Sequence, residues 1–116
     1  GLNATARDHA RFGLMFLNKG HANGKQIVPA DWVDEATIPD EGFEPTAPGE
    51  PFGYQYQWWT IPGSDAYSAI GLFHQFIYVD PENNLVIVKA SHTPEPVGHD
   101  EVNLDLFRQI AEKLSK

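Results

Sequence analysis

A chain of 116 residues suits one domain with a modest core, since folding at this size buries roughly two-thirds of the surface that the unfolded chain exposes. Sixteen acidic against eight basic residues give a net charge of −8, which repels phosphate backbones and anionic headgroups and argues against nucleic acid and membrane surfaces as partners. A hydrophobic content of 41% is too high for a disordered chain, the lack of cysteine removes disulfides, thiolate nucleophiles and Cys-based metal centres, and no apolar run approaches the ~20 residues that span a bilayer, so a soluble chain is expected, in cytoplasm or periplasm alike.

Gly1-Leu-Asn-Ala is followed at once by a helix start, which is how a fragment of a longer protein begins. Thr5-Ala-Arg-Asp8 has the form of a capping box, with the Thr5 hydroxyl set to accept from the Asp8 amide. Ala10, Leu14 and Leu17 then recur at helical spacing beside Phe12, Met15 and Phe16, and Lys19-Gly20 ends the element with a residue able to take positive φ. Such a helix is apolar around most of its circumference and expects neighbours on more than one side.

Asn23-Gly24 is a tight-turn dipeptide, and Pro29 opens a short helix over 30–36 with Trp32, Val33 and Ala36 as its buried face. From Thr37 to Gly53, Pro39, Pro45, Pro48 and Pro51 with two interior glycines and several acids predict a long surface loop. Its acids Asp40, Glu41, Glu44 and Glu50 lack the alternation of a calcium loop. Tyr54 to Ile61, Tyr67 to Val79 and Leu85 to Ser91 predict three sequential antiparallel strands, joined by the Pro62 to Asp65 and Asp80 to Asn84 turns. After the His92 to Gly98 loop, Leu106, Phe107, Ile110 and Leu114 mark one stripe of a terminal helix from about Asp100. The fold class is therefore α+β: a three-stranded antiparallel meander flanked by helices, with a sheet apolar on both faces that needs two covering layers.

The chemistry-bearing residues are sparse. Histidines 9, 21, 74, 92 and 99 form no ligand pair at a recognised metal spacing, so no metal is assigned. No Ser-x-x-Lys or Gly-x-Ser-x-Gly occurs around Ser64, Ser68, Ser91 or Ser115. Trp58-Trp59 puts one indole on each face of a strand, one for the core and one for a cleft, or both for a doubly covered core. Gly71, in the second strand, marks either a bulge or a place where another group approaches the backbone closely, as in an oxyanion hole.

Taken together, Gly1 to Gly13, Gln26-Ile-Val-Pro-Ala-Asp-Trp-Val33, Tyr54-Gln-Tyr-Gln-Trp-Trp59, Ala69-Ile-Gly-Leu-Phe-His-Gln75 and Tyr78-Val-Asp-Pro-Glu82 with Leu85-Val-Ile-Val-Lys89 are similar, in order and spacing, to a known family. The resemblance is to the C-terminal third of serine hydrolases of the class C β-lactamase and penicillin-binding-protein-like superfamily, closest to the 6-aminohexanoate-dimer hydrolase and esterase branch. It implies an acyl-enzyme mechanism on an ester, amide or β-lactam, without a cofactor. The Ser-x-x-Lys pair and an assisting tyrosine would lie upstream, so an N-terminal catalytic segment is the implied partner and these 116 residues alone would be inactive.

Gly71-Leu-Phe-His-Gln75 resembles the branch's cleft-bordering stretch. Carried over, the Leu72 backbone N–H would be one oxyanion donor, Gly71 would permit close approach, and Trp59, Phe73 and His74 would bind substrate. His74 departs from the glycine usual there, although histidine tolerates positive φ better than most residues; its imidazole either faces substrate or packs behind the strand. Two other readings follow from the residues alone: a binding module without turnover, or a domain that dimerises through a free sheet edge.

Overall fold

The computed structural model describes residues 4–38, 53–61, 63–91 and 100–114. The predicted loops over 37–53 and 92–98 fall almost wholly outside these residues, as does the Pro62 position of the predicted turn.

Helix α1 spans Ala6–Leu17 behind the predicted cap, with the Asp8 amide donating to Thr5 Oγ1 at 3.1 Å. The Asp8 carboxylate does not close the box; it takes Arg11 at 2.9 Å instead. The helix lies against the sheet through Gly13, where an added Cβ would come within 2.8 Å of Val86 Cγ1 and 3.0 Å of Ile77 Cγ2, so only glycine allows this approach. Phe16 is buried, Leu14 stays well exposed, and Phe12, though equally exposed, lies nearly parallel to the Trp58 ring with centroids 6.1 Å apart. Lys19 and Gly20 both take positive φ, 57° and 87°, and the Gly20 amide donates to the Met15 carbonyl at 2.8 Å, which turns the chain into the next element.

A small hairpin follows, β1 (His21–Ala22) and β2 (Lys25–Gln26), closed by Asn23-Gly24 at φ 52° and 76°. Two left-handed residues in a two-residue loop are the type I′ turn that Asn-Gly favours. Helix α2 runs Ala30–Thr37 with Pro29 at its N-cap, and Val33, Ala36 and Thr37 are its buried positions. Trp32 corrects the sequence expectation: it is 46% exposed, lying flat on Tyr56 with ring centroids 5.3 Å apart and planes 7° from parallel. Lys19 anchors the helix through Asp34 at 2.6 Å.

The sheet is antiparallel, as expected, but has five strands instead of three, in sequence order: β3 (Gly53–Gln55), β4 (Trp58–Thr60), β5 (Tyr67–Gly71), β6 (Gln75–Asp80) and β7 (Leu85–Lys89). Two of the predicted strands each fold back on themselves. Tyr56 and Gln57 adopt φ 40° and 73°, and Phe73 and His74 adopt 62° and 63°, left-handed values that bulky residues seldom take and that sequence pattern does not announce. The Tyr67 to Val79 run is thus a hairpin, with Gly71 opposite Gln75.

The two faces of the sheet carry separate cores. On the α1 side Phe16, Val33, Trp58, Tyr67 and Val79 pack together, with Trp58 tilted on Phe16 at 4.8 Å and edge-on to Tyr67 at 5.0 Å. On the other side Ala66, Phe76 and Tyr78 meet Leu104 and Phe107 of α3 (Asp100–Leu114). Burying each large apolar side chain contributes roughly 1.5–3 kcal/mol, so both layers are needed to offset the ordering of the sheet. The buried stripe of α3 is Asn103, Leu104, Phe107 and Ala111; Leu106 and Leu114, expected in it, are 49% and 68% exposed. Burial raises the Tyr67 hydroxyl pKa, reinforced by Asp34, and raises that of Tyr78, reinforced by the Asp80 carboxylate that accepts from it at 3.2 Å. No helix among the described residues is long and apolar enough to cross a membrane.

Candidate functional site

Strand β5 is the centre of the sheet, yet its two sides are unequal. Against β6 it pairs along its whole length, Tyr67 to Gly71, whereas against β4 it pairs only at Tyr67 and Ser68. β4 is short because the Tyr56-Gln57 turn precedes it and the Gly63 to Asp65 turn follows it closely, which confines it to three residues. The β4-facing edge of Ala69, Ile70 and Gly71 therefore has no strand partner among the described residues.

That edge borders a cleft of about 980 Å³, lined by Ala69, Ile70, Gly71 and Gln75 on the hairpin, by Tyr54, Gln57 and Trp59 from β3–β4, and by Asp8, His9 and Phe12 of α1. Trp59 stands edge-on to Tyr54, centroids 4.7 Å apart, and the two give the cleft an aromatic side. Trp58 and Trp59 divide as one of the two sequence readings had it: Trp58 is buried in the α1 core and Trp59 is half-buried in the cleft lining. Lys89 reaches the same cleft, its ammonium hydrogen-bonded to Asn103 Oδ1 of α3.

Of the five residues singled out from sequence, Trp59 and Gly71 line the cleft and Leu72, Phe73 and His74 form the hairpin tip beside it. Gly71 is not a bulge: the register runs unbroken from Ile70–Phe76 to Gly71–Gln75. Nor does the fold itself crowd it, since an added Cβ would touch only Gln75, at 3.4 Å; what the missing side chain keeps bare is the cleft wall. Leu72 and Phe73 are 62% and 43% exposed. His74 is 7% exposed and packs behind the tip, near enough to Asp100 at the start of α3 for its charge to oppose the rise that burial imposes on the Asp100 pKa. Its φ of 63° is the positive value that the departure from glycine made a test of.

Sequence reasoning missed Gln75 and Gln57. Gln57 carries no signal beyond a polar amide among aromatics, which is too common to single out, and Gln75 enters only as the last residue of the Gly71 to Gln75 stretch, with no role of its own. Ser68 is fully buried with its hydroxyl donating to the Ala69 and Ile77 carbonyls, at 2.9 and 3.1 Å, and no described serine lines the cleft. Among the described residues no group of three or more His, Asp or Glu converges as a metal site. The cleft can hold an apolar or aromatic group on Trp59 and Tyr54 and can offer backbone amides to an oxygen; among the described residues that line it no nucleophile and base are in contact.

A central strand with one bare edge facing an aromatic-sided cleft, in a sheet sandwiched by helices, belongs to a known class. The beta-lactamase family model matches residues 1–112, and the chain belongs to the beta-lactamase family of hydrolases. Within it, the chain is 36% identical over 104 residues to the 6-aminohexanoate-dimer hydrolase of Paenarthrobacter ureafaciens, an alignment covering 83% of this chain and 26% of that protein. It also superposes, with a TM-score of 0.84 and 39% identity, on a solved Bacillus anthracis protein assigned by name as a 6-aminohexanoate-dimer hydrolase, over 98% of this chain and 30% of that one. The 116 residues thus span between a quarter and a third of the relatives they match.

Proposed function

We propose that the chain forms one wall of the cleft of a serine hydrolase that cleaves an ester or amide through an acyl-enzyme. The Leu72 amide, at the end of β5, donates to the carbonyl oxygen of the substrate, and a Ser-x-x-Lys pair from a segment outside these 116 residues supplies nucleophile and base. What supports this most is the bare edge of β5 over Ala69 to Gly71, opening into the cleft beside Trp59. A main-chain N–H fixed in place at the end of a strand needs no reorganisation as negative charge grows on the attacked oxygen, and loss of one such donor costs roughly 10²–10³ in turnover. Trp59 and Tyr54 carry the apolar part of the substrate, and Phe73 at the tip closes over it.

The test is labelling of the native protein with a fluorophosphonate probe, read by intact mass. Label on a polypeptide bearing Ser-x-x-Lys, together with this segment, supports the reading. A single unlabelled species at the mass of the 116-residue chain sinks it and leaves a binding module.

A second reading rests on β7. Its five residues are half-buried and, among the described residues, pair with β6 alone. In this reading a second copy adds across that edge, and sedimentation would show a dimer that dissociates on dilution.

A further inference from the structure

We infer that Gln75 is a positioning residue whose side-chain amide locks the Leu72–His74 turn to the end of β7, and so sets where β5 presents its amides to the cleft. Its consequence for turnover rests on the hydrolase reading above; the lock itself is a matter of geometry.

Gln75 opens β6 directly opposite Gly71. Its Nε2 donates to the Phe73 carbonyl at 3.0 Å and also to the Ser91 carbonyl, while its Oε1 accepts from the Ser91 amide at 3.1 Å. Both N–H groups and the oxygen are therefore used. Backbone pairing between β6 and β7 ends at Phe76–Lys89, so the amide extends the ladder beyond the last strand residue and spans from there to the turn.

The turn needs such a tie. Phe73 and His74 both hold left-handed φ, 62° and 63°, a conformation that their side chains oppose. Burial can hold His74, at 7% exposure, but not Phe73, at 43%; the described hydrogen bond to the Phe73 carbonyl comes from Gln75. Without it the tip can relax to right-handed values, and the amide at residue 72 turns with it. Few other side chains offer this set of contacts: glutamate keeps the acceptor but loses both donors, asparagine is one methylene short, and leucine or methionine has no donor.

The test uses the full-length protein that carries this segment, with Gln75→Glu and Gln75→Ala. By NMR, both variants should lose the left-handed ¹³Cα shifts of Phe73 and His74. Amide exchange at residues 72–75 should quicken at least about tenfold, while Tyr67 and Ser68 keep their protection. With p-nitrophenyl acetate, kcat should fall on the order of 10- to 100-fold with KM little changed, because the lost contact acts on developing charge. The ratio of Gln75→Glu to parent activity should rise as pH falls below about 5, where a protonated glutamate regains one donor; Gln75→Ala should show no such recovery.

Unchanged shifts and exchange in both variants overturn the lock whatever the activity. Altered shifts with unchanged kcat overturn its role in the reaction. A parent that turns over neither ester nor amide sinks the hydrolase reading, and the NMR result still decides the lock. Should Gln75→Ala fail to fold, Gln75→Glu, of the same size and shape, carries the test.

Discussion

The β1–β2 and β3–β4 hairpins have nearly the same backbone and opposite sequences. Each closes a two-residue loop with both residues left-handed, at 52° and 76° in one and 40° and 73° in the other. The first is Asn-Gly, which takes that shape by itself. The second is Tyr-Gln, which does not, and it is held from outside: Trp32 stacks on Tyr56, the Tyr56 hydroxyl donates to Glu35 Oε1 at 3.3 Å, and Gln55 donates to the Glu35 carbonyl at 3.1 Å. Asn23 and Gly24 do not line the cleft, whereas Gln57 does. Strain of this kind persists only where neighbours over-determine it, and here it lies at the cleft rim, as it does again at Phe73 and His74.

If the first region is set by local fit, its glycines should be unforgiving in proportion to what surrounds them. Gly20→Ala has the largest expected effect. The new Cβ would sit 2.0 Å from the Val28 carbonyl oxygen at φ 87°, and main chain cannot step aside, so at least about 2 kcal/mol of stability should be lost. Gly24→Ala, at φ 76° with nothing within 4 Å, should cost only about 1 kcal/mol. Urea titrations of both variants check the contrast, and equal losses would break it.

If the second region is set by its neighbours, Trp32 and Tyr56 should be energetically coupled. A cycle of Trp32→Ala, Tyr56→Ala and the double variant should return about 1 kcal/mol, the range for stacked aromatic pairs. Simple additivity would mean that the stack does not hold the turn. Gln57→Gly sharpens the same point with the opposite sign. Removing a left-handed glutamine relieves about 1–2 kcal/mol and adds roughly 0.5–1 kcal/mol of chain entropy to the unfolded state. The variant should therefore be slightly more stable than the parent, by about 0.5–1 kcal/mol.

The same contrast explains what was legible beforehand. Strand alternation left two readings of Trp58-Trp59 open, and only the packing of the α1 core and the cleft decides between them. The Thr5 cap, the helix over 6–17 and the Asn23-Gly24 turn follow from local rules, and the structure has them. The turns at Tyr56-Gln57 and Phe73-His74 do not, because their residues favour extension and only tertiary contacts bend them back; three strands were expected and five are present. Trp32 failed for a related reason, since its partner Tyr56 comes into reach only once that turn exists. In the site, Gly71 and Trp59 could be named by residue type and order, whereas Gln75 acquires a role only from Ser91, sixteen residues away.

The smallest effect is expected where the second strained tip meets α3. Burial disfavours the Asp100 carboxylate and raises its pKa from the ordinary 3.8, while the charge of His74 pulls the other way and loses. A carboxyl raised on folding stabilises only below its unfolded pKa, and that contribution is lost as pH rises through the folded value. Asp100→Asn, always neutral, should accordingly match the parent in Tm well below pH 4 and exceed it slightly at pH 7. Were His74 instead the dominant neighbour, the sign would invert: the parent would gain on Asp100→Asn as the carboxylate ionised. Thermal melts of the two proteins from pH 3 to 7 thus tell whether the buried side of the tip is held by packing, as at Trp32 and Tyr56, or by a charge pair.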